Sequence, residues 1–155
     1  MAKKLKTYVI TMMVKFPKVG IVVPEPTGFK KKILSGEKKH TIRQNYHFWK
    51  KRIDEVNAGR AILSVRQWSG RPYNSEQKEI KQFKQGEVGC QRITVTGKAS
   101  DVGVHLGLHL GYKLLSDRKI KTLAKNDGIT FKQMQTFFKN GVLDGIIIHF
   151  TKLRY

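Results

Sequence analysis

A chain of 155 residues has room for one compact domain with a sizeable core, and 39% hydrophobic with 27% charged residues fits a globular protein better than a disordered or fibrous one. No apolar run approaches the ~20 residues of a membrane span, and the basic start, Met1 to Lys6, leads to no small-residue cleavage site, so neither an anchor nor a secretory leader is expected. The outlier is charge: 31 Lys and Arg against 11 Asp and Glu leave a net +20, which favours nucleic acid over an anionic membrane surface, because each phosphate neutralised releases condensed counterions.

In chain order, Lys6–Phe16 reads as a strand, because Tyr8, Val9, Ile10, Val14 and Phe16 are β-branched or aromatic and make no helical stripe. Pro17, Pro24 and Pro26 break regular pairing, so 18–27 reads as a loop with a short extended piece at Val19–Val23. Thr27 can cap a short helix through Leu34, with Phe29 and Ile33 inward, Lys30, Lys31 and Lys32 in solvent and Gly36 as its left-handed stop. His40–Arg43 then reads as a brief strand with Thr41 and Arg43 on one side.

Asn45–Asn57 is expected as a helix carrying Phe48, Trp49, Ile53 and Val56, closed by Gly59. Strands are expected over 60–69, around 79–83 and over 89–98, with a loop at 70–75. Val102, Val104, Leu106, Leu108 and Leu110 alternate with glycine and histidine, a period of two that predicts a long strand. Two helices follow, Ser116 or Asp117 to Lys125 and Thr130 to Lys139, the latter with Phe131, Met134, Phe137 and Phe138 inward; a buried strand over 142–153 closes the chain. Six or seven strands and four short helices without β-α-β alternation predict an α+β domain, a small, partly closed β-barrel or strongly curved sheet flanked by helices.

Three groups of side chains carry chemistry. Lys38, Thr41 and Arg43, beside Lys39, follow a glycine turn and can converge: an ammonium, a hydroxyl and a planar guanidinium hold an anionic ligand, or Lys38 serves as base to a Thr41 nucleophile. Arg66, Arg71 and Tyr73, with Trp68 between them, combine cations with rings as single-stranded nucleic-acid binders do. Asp127, in Asn126-Asp127-Gly128, is the carboxylate most easily placed in a site, although such a triplet also ends helices routinely. No metal is expected, because His105 and His109 sit on a strand and no carboxylate pair or second cysteine joins them. No cofactor is expected either, since no phosphate-cradling glycine loop is present. Cys90 stands alone, so no intramolecular disulfide forms and a reducing cytoplasm is the expected setting.

The run Ile33-Leu34-Ser35-Gly36-Glu37-Lys38-Lys39-His40-Thr41-Ile42-Arg43 resembles the signature of the ASCH domain, a family related to PUA domains. Gly59 before a strand, Arg66, Tyr73, Cys90 with Gln91 and Ile93, Leu123 to Gly128 and Ile147 to Tyr155 are also similar to ASCH-like bacterial and phage proteins, so the resemblance spans nearly the whole of 1–155 as one domain. It implies a PUA-like pseudobarrel with a cleft between barrel and helices, usually proposed to bind RNA. It also implies an alternative, because some small ASCH proteins are amidohydrolases of acylated cytidine and a nuclease is known in the family. In that branch the signature lysine and threonine, Lys38 and Thr41 here, work with a glutamate whose place falls near Asn126 or Asp127. This chain carries an additional segment around 66–98 and is far more basic than those compact enzymes. The expected protein is therefore a cytoplasmic RNA binder whose cleft is lined by Lys38, Thr41 and Arg43, with Arg66, Arg71 and Tyr73 as the opposite rim.

Overall fold

The structure, a computed structural model, describes residues 3–17, 24–139 and 141–155. The short extended piece expected at 19–23 lies outside the described residues. Among the described residues the elements run β1 (Lys6–Met12), α1 (Phe29–Ser35), β2 (His40–Gln44), α2 (Tyr46–Asn57), β3 (Ala61–Trp68), β4 (Gln77–Phe83), β5 (Gly89–Ser100), β6 (Gly103–Leu110), β7 (Lys113–Leu114), α3 (Asp117–Asn126), α4 (Phe131–Phe137) and β8 (Val142–His149).

The α+β class holds, and the strands do not close into one continuous barrel. Eight strands form two open sheets, β1-β3-β4 and β2-β8-β5-β6-β7. The cause is pairing. β1 runs parallel to β3, from Lys6 opposite Ala61 to Met12 opposite Gln67, so α1, β2 and α2 must cross over between them. β2 leaves that sheet to pair antiparallel with β8, Thr41 opposite Ile148 and Arg43 opposite Ile146. Helix α2 packs on β3 of one sheet and on β5 and β8 of the other, and its fully buried Ile53 and Val56 weld the two.

Position in the sheet explains the apolar run Ile146-Ile147-Ile148 in β8. It lies between β2 and β5, with Ile146, Ile147 and Ile148 all fully buried, as a strand covered on both faces requires. The expected extension of this strand to Leu153 is not formed, and β1 stops at Met12 short of Phe16, where Lys15 instead bridges to Pro26. The alternating segment begins at Gly103, because Asp101 and Val102 form the turn from β5; Val102 is 89% exposed and only Leu108 is fully buried. Phe48 and Phe137 are not core residues either: both are exposed, and Phe48 lies 3.3 Å from the Arg52 guanidinium, which covers its ring. Thr27 does not cap α1 from the expected position. Gly28 is the cap residue, while the Thr27 hydroxyl donates to the Met13 carbonyl and accepts from Phe29 N. Helix α4 ends at Phe137, held at its start by the Thr130–Gln133 capping box.

Candidate functional site

Helix α1 ends on Gly36 at φ 79°, and the chain folds back so that Lys38 N donates to Lys32 O at 2.9 Å. That turn aims Lys38 into the protein. Its ammonium sits 4.3 Å from the Phe29 ring centre and donates to Asp127 twice, to the backbone oxygen at 2.6 Å and to Oδ1 at 2.8 Å. Two of its three donors are thereby used. Asp127 ends α3, and Gly128, at φ 77°, both makes that turn and leaves room for Lys38, since an added Cβ would stand 3.3 Å from Lys38 Cβ. Asn126-Asp127-Gly128 thus ends the helix as expected and also brings the Asp127 carboxylate to Lys38.

Behind Asp127 stands His40, itself backed by Tyr155 and Asn126. His40 Nδ1 is 3.5 Å from Asp127 Oδ1, close enough to feel its charge but without a hydrogen bond. Asn126 Nδ2 donates to Tyr155 Oη at 2.9 Å, and that hydroxyl lies at hydrogen-bond distance, 2.7 Å, from His40 Nε2, so that His40 Nδ1 faces the carboxylate. Burial works against the Asp127 charge, but Lys38 and His40 outweigh it and hold its carboxyl below the ordinary value. Burial lowers the Lys38 amine, with the Asp127 charge opposing. Tyr155 is pushed up to about 12, by burial first and by the Asp127 charge in addition. Beside it, His149 Nε2 meets Gln91 Oε1 at 2.9 Å, an oxygen that also accepts from Tyr155 N.

In front of the ion pair lies a cavity of about 470 Å³. Lys38, Thr41, Arg43, Gln44 and Asp127 give its polar wall; Phe29, Trp49, Phe137 and Phe138, with methionine and aliphatic side chains, give the rest. Arg43 reaches it from β2, anchored by an Nη2 bond of 2.6 Å to Thr11 O. Burial lowers the Arg43 pKa, but a guanidinium stays protonated.

Lys38, Thr41, Arg43 and Asp127 thus meet in one place. Lys39 does not join them: it is half-buried, and its backbone ties β2 to neighbouring segments, N to Asn126 O at 2.6 Å and O to Phe150 N at 2.8 Å. Arg66, Arg71 and Tyr73 do not line the cavity, so the expected opposite rim is made by α4 and Trp49 instead. The reason is strand alternation. Arg66 is the register partner of Thr11, whereas cavity-lining Met12 points to the other face of the same sheet. Arg66 Nε instead donates to Ser64 Oγ at 2.8 Å, and Tyr73 stands 88% exposed against Trp68. Sequence reasoning missed His40, Tyr155 and Gln91 in the support and Gln44 and Trp49 in the wall; only the adjacency of His40 and Gln44 to the signature could have marked them. Among the described residues no three His, Cys, Asp or Glu side chains are grouped to hold a metal ion, and no helix is long and apolar enough to cross a membrane. No protein-family model matches the chain, and neither the curated proteins nor the solved structures contain a match.

Proposed function

We propose that this is a cytoplasmic RNA-binding protein of the ASCH type, its two sheets a PUA-like pseudobarrel, which admits one unpaired nucleoside of its ligand to the Lys38–Arg43–Asp127 cavity. One observation carries the proposal: two cations, a hydroxyl, an amide and a carboxylate line one wall of a cavity whose other walls are aromatic and aliphatic. Its volume of about 470 Å³ lies within the roughly 300–1,000 Å³ usual for small-ligand sites. Flat rings pack a base, and the polar wall reads its edge. The net +20 supplies attraction for the flanking phosphates.

A second reading, hydrolysis of an acylated nucleoside, is favoured by Lys38 itself. Burial has lowered its amine, the change a lysine base needs, and Thr41 shares its cavity. One experiment addresses both. Single-stranded RNA binding at moderate salt is measured for the wild type, Thr41→Val and Gln44→Ala, and each protein is incubated with acylated cytidine. Weakening by about 5- to 30-fold in either variant, as for loss of a hydrogen bond of roughly 1–2 kcal/mol, is expected. Undetectable RNA binding by the wild type, or binding unchanged in both variants, ends the first reading; turnover abolished by Lys38→Met establishes the second.

A further inference from the structure

We propose that the tip of the β3–β4 hairpin is a stacking platform for an unpaired base of single-stranded RNA, with Tyr73 as the ring and Arg71 as the phosphate contact. The proposal rests on the RNA-binding reading above and adds a surface separate from the cavity, on the outer face of the three-stranded sheet.

Tyr73 is 88% exposed, yet it is not loose. Its ring centre lies 5.2 Å from that of half-buried Trp68, with the two planes tilted by 50°, so that Trp68 touches its edge and nearly all of the ring meets solvent. The backbone at Tyr73 has φ 64°, a left-handed conformation that costs an L-residue with a side chain about 1–2 kcal/mol. A turn alone would take Gly or Asn there. The loop is instead braced around a tyrosine: Asn74 N and Ser75 Oγ both donate to Arg71 O, at 3.2 and 2.8 Å, Gly70 N donates to Ser75 Oγ at 3.0 Å, and Ser69 N donates to Glu76 O at 2.8 Å. These bonds hold an aromatic ring outward in a strained conformation, which packing does not explain.

The surroundings select the partner. Residues 66–84 carry five Lys and Arg against two Glu, and Arg71 and Lys78 are exposed. Glu79 is already occupied by Ser64 Oγ and, at 3.1 Å, Gln82 Nε2. A projecting ring beside free cations fits an unstacked base with its phosphates; in a duplex the base faces are covered, so the platform selects single strands.

The test is fluorescence anisotropy of a labelled oligouridylate with the full chain. Tyr73→Ala is expected to weaken binding about 5- to 150-fold, as for loss of one base stack. Tyr73→Trp is expected to retain binding. Tyr73→Gly, which relieves the backbone strain and therefore folds at least as well, must lose as much as Tyr73→Ala. Arg71→Ala should lower the slope of log affinity against log salt by about 0.7, the share of one single-strand phosphate. If the wild type binds and Tyr73→Gly binds equally well, or if Tyr73→Trp loses as much as Tyr73→Ala, the platform is refuted while the cavity reading stands. Tyr73-dependent binding to oligodeoxythymidylate of equal strength overturns the assignment to RNA, and Tyr73-dependent binding to duplex RNA overturns that to single strands. Absence of any binding by the wild type removes both proposals together.

Discussion

His149 is wholly enclosed, with Nε2 on Gln91 and no hydrogen-bond partner for Nδ1 among the described residues. Burial, then the neighbouring His40 and the Arg154 charge, pushes its pKa down to about 3. An unfolded histidine titrates near 6.5, so between those values the unfolded chain binds a proton that the folded chain refuses. Stability is therefore full above about pH 6.5 and falls as the pH drops toward 3, with a slope approaching ~1.4 kcal/mol per pH unit. Asp127, also held low, acts with the same sign at the acid end: the stability it contributes is present above its unfolded value of about 3.9 and is lost as the pH falls below it. Urea denaturation across this range should show the wild-type midpoint falling and that of His149→Gln falling less; parallel curves would clear His149. Nothing in the sequence marks this residue, because His149 reads as one more member of a buried strand and its partner Gln91 is 58 residues away.

At the level of elements, β2 is placed by a glycine opposite it. An added Cβ on Gly145 would lie 2.2 Å from the Arg43 backbone oxygen and 2.6 Å from Leu143 Cδ2, so even a methyl group forces β2 away from β8. Gly145→Ala is expected to cost about 1–3 kcal/mol in urea denaturation and to weaken RNA binding, because Thr41 and Arg43 move with the strand. Unchanged affinity in the folded variant would detach the cavity from the proposed function. Local signals made most elements legible: Gly36 at the end of α1, Ser116 and Thr130 at two helix starts, and alternation in β3 and β6. The same signals are silent on partners. Alternation marked 102–110 as a strand but not how shallowly it is buried, and no local feature tells that β1 pairs with β3 while β2 pairs with β8. Hence Lys38, Thr41 and Arg43 were legible as a group within one short stretch. The wrong rim, by contrast, came from a sheet assignment that only tertiary pairing decides.

For the whole molecule, most of the positive charge stays available. Among the described residues the ion pairs with Lys or Arg are Lys38–Asp127, Lys50–Asp54 and Arg92–Asp144, against 31 basic residues in the chain. RNA affinity is therefore expected to fall linearly with log salt, by about 0.7 in slope for each phosphate engaged. A salt series measures it, and a slope near zero would deny the exterior any part in binding. The pairing of β2 with β8 has one more consequence, and it concerns time. Thr41 and its partner Ile148 are about a hundred residues apart, and Asp127 comes from a third segment between them. Such distant closures are slow and late. During synthesis Lys38 emerges long before the carboxylate that neutralises it and the strand that seats it, so a chain halted before β8 has every lining residue except Leu143 but no cavity. Ligand binding at that site reports that the last strand has docked.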